Sequence, residues 1–222
     1  RKATSDDGST PMQLAKRYGS AGILTLLEDA DEKSRLEFVK QKREKALEAL
    51  NTVLMNDYLN ADEFYFEHCA DVLSESDLTA AKIRTVNSWL ASRTVPSKFA
   101  PDEDQARAIG AIDNNVQVTA RAGSGKTSTI VNRTLFLQEH CKIAPEKIMV
   151  LAFNNKAAQE IRERILQMSH TEARKILNSE SQIIRDGIGP NTGLTLRTIQ
   201  VQAVKNTADK LRIVLPHVRT FH

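Results

Sequence analysis

Apolar and polar residues follow two different periods along this chain, and the change falls near its middle. From about Met12 to Tyr58 the apolar positions recur at helical spacing. Leu36, Val39, Ala46, Leu47, Leu50, Val53 and Leu54 share one face, with charges elsewhere. A second helix is predicted over Ala61 to Leu73, where Phe64, Tyr65 and Phe66 supply aromatic bulk. A third is predicted over Leu78 to Ser92, with Ile83, Val86 and Leu90 as its stripe and Trp89 beside it. Thr94-Val95-Pro96-Ser97 ends the series, because proline disfavours helix in the residue before it. The polar stretch Arg1 to Pro11 has neither period and reads as a disordered tail. The expected organisation is a tail over 1–11, an all-α region over 12–95, and a second region from 98 to 222.

In that second region short apolar runs alternate with amphipathic ones. Strands are predicted at Val116 to Ala120, Lys147 to Phe153 and Ile213 to Thr220. Helices are predicted over Asp102 to Ile112, Lys126 to about Glu139, and Ala157 to Met168, the last with Ile161 and Ile165 facing inward. Glu172 to Lys210 reads as mainly helical, interrupted by the turn-rich DGIGPNTG at Asp186 to Gly193. Such alternation implies an α/β fold with parallel strands joined by crossovers.

Composition narrows the class only a little. The chain has 222 residues, 41% hydrophobic and 27% charged, which suits one or two soluble globular domains. A net charge of +3 is compatible with a nucleic-acid partner but proves none, since a basic footprint must be clustered. Cys69 and Cys141 lie far apart and form no C-x-x-C pair, so neither zinc nor a disulfide framework is indicated. A reducing cytoplasm fits, with or without association with the nucleoid. No apolar run reaches transmembrane length, so no membrane role is expected. The chain starts at Arg1 and stops after Thr220-Phe221-His222, as expected of a piece of a longer protein.

The chemistry concentrates in Val116 to Asn132, VQVTARAGSGKTSTIVN. A β-branched run feeds a small-residue loop, Ala120-Arg121-Ala122-Gly123-Ser124-Gly125, and a helix follows from Lys126 and Thr127. Backbone N–H groups of such a loop converge on phosphate oxygens, with the positive end of the helix behind them. Lys126 adds a cation for the β- and γ-phosphates, and Thr127 offers a hydroxyl to Mg²⁺. The usual pattern has glycine where Ala120 stands. The plainer alternative is a turn at a strand end with Lys126 solvated; the flanking strand and helix argue against it.

Three further segments carry candidate residues. In Pro101 to Ile109, Asp102 and Gln105 have the spacing of a capping box, and the Gln105 amide also has the donor and acceptor to read an adenine edge. In Ile148 to Ile165 an apolar run ends at Phe153-Asn154-Asn155, where an aromatic and two amides could meet a single strand. Phe153 as core and either asparagine as a helix cap is the equal alternative. Val218 to His222 says nothing by itself. The charged block Lys40 to Lys45 reads as a solvated helix face before a nucleic-acid patch.

Taken together, the segments resemble the first motor domain of superfamily 1 helicases of the UvrD/Rep type. PDEDQARAI resembles their Q motif, TARAGSGKT motif I, LAFNNKAAQEIRERI motif Ia and RTFH the start of motif Ib, with detail similar to the helicase IV branch. The resemblance implies a RecA-like ATP-binding domain. It implies that Gln105 contacts adenine, that Lys126 and Thr127 take phosphate and Mg²⁺, and that Ala120 is compatible with the loop. It places Phe153, Asn154, Asn155 and His222 beside single-stranded DNA. Many relatives have arginine where this chain has Ser128. The implied parent is an ATP-dependent DNA helicase or translocase. The acidic pair, glutamine and second-domain arginines that such a motor needs are not found in these residues, so this chain alone is expected to be inactive. The alternatives are a nucleotide-dependent module that binds DNA or a partner without turnover, and another P-loop NTPase. The helical region 12–95 is expected to serve DNA, a protein partner, or packing against the motor. Leu166 to Arg212 is long for the gap between motifs Ia and Ib and has no assigned role.

Overall fold

The computed structural model describes the chain except residues 1–7, 18, 20, 94–99, 113–114, 120, 122, 188–194 and 221–222, and the side chains of 21–23 and 25. It is mostly helical with one small parallel sheet. Helix α1 (Pro11–Arg17) begins with proline in its first turn, where no N–H is missed. Thr10 and Gln13 cap it reciprocally. Helix α2 (Ala21–Asn56) follows. The stripe expected along α2 is only half used. Leu50 and Leu54 are fully buried, whereas Leu36 and Val39 are 64% and 53% exposed. The period is right, but helices α3 (Ala61–His68) and α4 (Glu75–Ser92) pack only against the second half of α2. The charged block lies where that packing begins. Lys42 pairs with Asp71 at 2.5 Å and Arg43 with Asp77 at 2.7 Å.

Helix α3 ends at His68 rather than at Leu73 as predicted. The chain turns at Cys69, and the Tyr65 hydroxyl closes the turn on the Leu73 carbonyl at 2.8 Å. Of the three aromatics there, Tyr65 is buried and Phe66 is exposed. A capping box of Ser74 and Asp77 starts α4.

Helices α5 (Glu103–Gly110) and α6 (Lys126–Glu139) join the same core. Phe136 of α6 is completely buried at its centre. Tyr58 and Trp89 meet it edge-on at 4.9 and 5.1 Å between centroids, and His140 stacks on it at 4.8 Å. The Tyr58 hydroxyl donates to the Gly110 carbonyl at 2.7 Å, and His140 Nε2 lies 2.8 Å from the Leu54 carbonyl. At the end of α4, Arg93 clasps Glu139 through Nε and Nη2 at 2.8 and 2.7 Å and lies over the Trp89 ring. The helices on either side of the predicted break at Thr94 to Ser97 therefore share one apolar cluster. The break itself lies outside the described residues.

Strands β1 (Met149–Ala152) and β2 (His217–Thr220) pair in parallel, with Val150 opposite Val218. Both are shorter than the predicted runs. Between them lie α7 (Asn155–Ser169), α8 (Ala173–Asp186) and α9 (Leu196–Leu211). Helix α7 packs Ala158, Ile161 and Ile165 into the main core. Its far end is held by Arg93, whose Nη2 also donates to the Met168 carbonyl at 2.5 Å. Helices α8 and α9 form a hairpin with a second small core of Leu177, Ala203, Val204 and Ala208. Inside the hairpin Glu180 is held by Lys210 and Asn206.

The strand predicted at Val116 to Ala120 is a correction. Val116 to Thr119 have no strand structure and are exposed, and Ala120 lies outside the described residues. A β-branched run becomes a strand only beside a ladder partner, and among the described residues β1 pairs with β2 alone. No helix among the described residues is long and apolar enough to cross a membrane.

Candidate nucleotide-binding site

The phosphate-loop candidates assemble at the start of α6. Gly123 and Gly125 both adopt left-handed backbone, at φ 80° and 77°, which a side chain would strain. Gly125 is the N-cap of α6 and no side-chain acceptor covers the helix start. The dipole of a four-turn helix and its first amides thus face the loop. Ser124 N donates to the Arg121 carbonyl at 3.3 Å and tightens the turn. Lys126 reaches back over it, its ammonium donating to the same Arg121 carbonyl. Thr127 is half-buried behind Lys126. Ala120 and Ala122 lie outside the described residues.

Helix α5 brings Gln105 to the loop. Its capping role is present: Asp102 Oδ1 accepts from Gln105 N at 2.8 Å, and Gln105 Oε1 accepts from Asp102 N at 3.1 Å. The same amide does something local spacing could not reveal. Gln105 Nε2 donates to the Ser124 carbonyl at 2.9 Å and ties α5 to the loop. Arg133, one face further along α6, donates to the Ala108 and Ile109 carbonyls at 2.8 and 3.1 Å and braces the other end of α5. Between α5, Val116 to Thr119 and α6 opens a cleft of about 520 Å³ lined by Gln105, Val116, Val118, Lys126, Ile130 and Arg133. Its volume, with Val116, Val118 and Ile130 as an apolar side and Gln105, Lys126 and Arg133 among its polar groups, suits a nucleotide.

The donors present fit a triphosphate with Mg²⁺. Amides and an ammonium meet the anion, and the Thr127 hydroxyl is a neutral oxygen for a hard cation. Among the described residues no group of three His, Cys, Asp or Glu side chains could hold a metal. Phosphate oxygens would complete such an ion's shell.

The candidate strand-contacting residues lie at the carboxyl end of β1. Phe153 is 78% exposed and so is no part of the core. Asn154 is the N-cap of α7, its side chain accepting from Ala157 N at 2.8 Å. Asn155 is exposed at the first position of that helix, and His222 lies outside the described residues. Ser128 receives a bond of 3.3 Å from Arg164 of α7, a cation that the sequence did not associate with the loop.

The family model described as UvrD/REP helicase N-terminal domain matches residues 101–222. DNA helicase IV of Escherichia coli (strain K12) is 47% identical over 68 residues, covering 31% of this chain and 10% of that protein. DNA helicase II of the same organism is 41% identical over 70 residues, 32% of this chain and 10% of that protein. ATP-dependent DNA helicase Rep of Buchnera aphidicola subsp. Acyrthosiphon pisum is 37% identical over 76 residues, 34% of this chain and 12% of that protein. The matched segments thus span about a tenth of these relatives. No solved structure matches.

Proposed function

We infer the function from one premise: this chain belongs to the UvrD/REP helicase family, whose N-terminal domain it carries over residues 101–222. The parent is an ATP-dependent DNA helicase or translocase of the cytoplasm or nucleoid. Residues 98–222 are the first part of its RecA-like ATP-binding domain, and 12–95 form an all-α region packed beside it, with a face left for a protein partner. One observation carries the reading most directly: the left-handed glycines deliver Lys126 and Thr127 at the start of α6, with Gln105 tethered to the same loop.

In that role the Lys126 ammonium exchanges the Arg121 carbonyl for a phosphate oxygen. Thr127 would hold Mg²⁺, which would neutralise phosphate charge. Gln105 has one amide N–H and one lone pair left after its bonds to Ser124 and Asp102, enough for an adenine edge. Capping and base reading therefore coexist. Phe153 offers its exposed ring to a base of single-stranded DNA, Asn154 and Asn155 offer polar groups next to it in the chain, and His222 is assigned to the same strand. ATP bound between two motor domains closes them on the strand, and hydrolysis reopens them.

Calorimetry on the chain and on Lys126→Ala tests the site. ATP affinity should fall in the variant, and equal affinity would remove the functional reading of Lys126. The chain alone should not turn ATP over, because the reading assigns none of its residues as a metal-bound carboxylate or water-orienting group. Turnover that Lys126→Ala abolishes would place such an acid inside it.

A further inference from the structure

The α8–α9 hairpin is the part of the chain that the nucleotide site does not use. It stands between β1–α7 and β2 with its own small core. Where α9 meets α7 there is a cleft of about 420 Å³ lined by Gln159, Arg162, Val204, Lys205, Asp209 and Leu215. Two observations there point to a ligand.

The first is an unanswered acceptor. Gln159 is only 5% exposed, and its Nε2 donates to Glu163 at 3.2 Å. Its Oε1 is buried with no hydrogen-bond partner among the described residues. A buried carbonyl left this way is costly, and a donor arriving from the cleft satisfies it. The second is unspent positive charge. Among the described residues no ion pair engages Arg162, Lys205 or Arg219. Among the described residues Arg162 donates to the Val218 carbonyl. Its burial, and then the charge of nearby Arg219 on β2, hold its guanidinium below the usual value. Asp209, one turn after Lys205, is the single carboxylate of the lining, so positive charge remains in excess.

A ligand that fits must carry anions for Arg162 and Lys205 and a donor for Gln159 Oε1. Inorganic phosphate supplies only the first. A nucleotide strand supplies both, a phosphate and a base N–H, and Val204 and Leu215 give the base an apolar floor. Position favours the same strand that the Phe153 loop meets. Asn155, Gln159 and Arg162 are four and three residues apart on α7, and so lie along one face. By the rise of an α-helix Gln159 is about 6 Å and Arg162 about 10 Å beyond Asn155.

We propose that the α7–α9 cleft is a further contact for single-stranded DNA, continuing the path from the Phe153 loop and built by the α8–α9 hairpin. The proposal rests on the reading that this chain engages single-stranded DNA. The test is fluorescence anisotropy of labelled oligothymidylate, whose bases carry an N–H donor, titrated with the full chain across a salt series. Lys205 is exposed, so Lys205→Ala should leave the melting temperature unchanged. It should weaken binding and reduce the slope of log affinity against log salt by about 0.7, one phosphate contact on a single strand. Lys205→Arg should restore the slope.

An unchanged slope in Lys205→Ala, while Phe153→Ala still weakens binding, would overturn this cleft and leave the proposed function standing. No binding by the unsubstituted chain even at low salt would overturn both. Duplex DNA bound as tightly as the single strand, with the same dependence on Lys205, would also refute the assignment.

Discussion

One of the hydrogen bonds across the seam between the N-terminal helices and helices α5 and α6 is buried, and removing it should be measurable. Tyr58 is 3% exposed and its hydroxyl donates to the Gly110 carbonyl at 2.7 Å. Tyr58→Phe deletes the donor and leaves a buried carbonyl that water does not reach. The expected cost is about 1–3 kcal/mol. For a chain of this size that lowers the melting temperature by roughly 2–4 °C per kcal/mol. The opposite face of the contact predicts a second effect. A Cβ on Gly110 would stand 2.4 Å from the Tyr58 hydroxyl and 2.9 Å from Val86 Cγ2. Gly110→Ala should therefore destabilise by about 1–3 kcal/mol through overpacking, less up to about 1 kcal/mol regained in helix propensity. Tyr58→Phe removes the nearer of those two clashes. The double variant should be more stable than the sum of the singles by about 1 kcal/mol. Urea unfolding followed by Trp89 fluorescence reads this directly, since Trp89 is the only tryptophan and lies on Phe136. Burial raises the Tyr58 pKa, so its stabilising effect is complete below the unfolded value and is lost as pH rises. The gap between parent and Tyr58→Phe should narrow above about pH 10. Strict additivity in the double variant, or an unchanged Tyr58→Phe, would refute the argument.

The other expected outcomes are simpler. Gln105→Ala loses the tether to Ser124 and should cost about 1 kcal/mol in urea unfolding. If the amide also reads the base, the same variant should narrow any preference for ATP over GTP in calorimetry; an unchanged preference would leave only the cap and tether. Phe153→Ala should barely alter the melting temperature, because the ring is exposed, yet should weaken binding of single-stranded DNA by about 1–3 kcal/mol. A large fall in melting temperature with unchanged DNA binding would contradict that. Hydrogen bonds from Lys210 and then Asn206 hold Glu180 below the usual glutamate range. Its stabilisation is therefore present above that range and lost as pH falls through the folded value. Acid titration of the chain and of Glu180→Gln should show two stabilities that differ near neutrality and converge in acid; a constant difference would sink the assignment.

Much of the local geometry of the candidate site was legible because its signals are local. Gly123 and Gly125 mark backbone that only glycine adopts cheaply, and the helix from Lys126 to Glu139 starts and stops as its pattern predicts. The parallel pairing of β1 with β2 also follows from alternation. What escaped the sequence depends on neighbours. Leu36 and Val39 obey the helical period on a stretch of α2 against which α3 and α4 do not pack. Val116 to Thr119 has strand propensity and no ladder partner. The tether from Gln105 to Ser124 spans 19 positions, and no periodicity connects them. Phe136 is central yet unmarked, because α6 is buried at successive positions such as Leu135 and Phe136 and has no single stripe.

Arg93 gives α6 and α7 a common hinge pin. Both helices begin at a loop assigned to a ligand, α6 at the phosphate loop and α7 beside Phe153, and both end in its grip through Glu139 and the Met168 carbonyl. Each is a rod of about 20 Å, from the helical rise per residue. The guanidinium at the seam with the N-terminal helices thus ties the far ends of both loop-bearing helices to a single point.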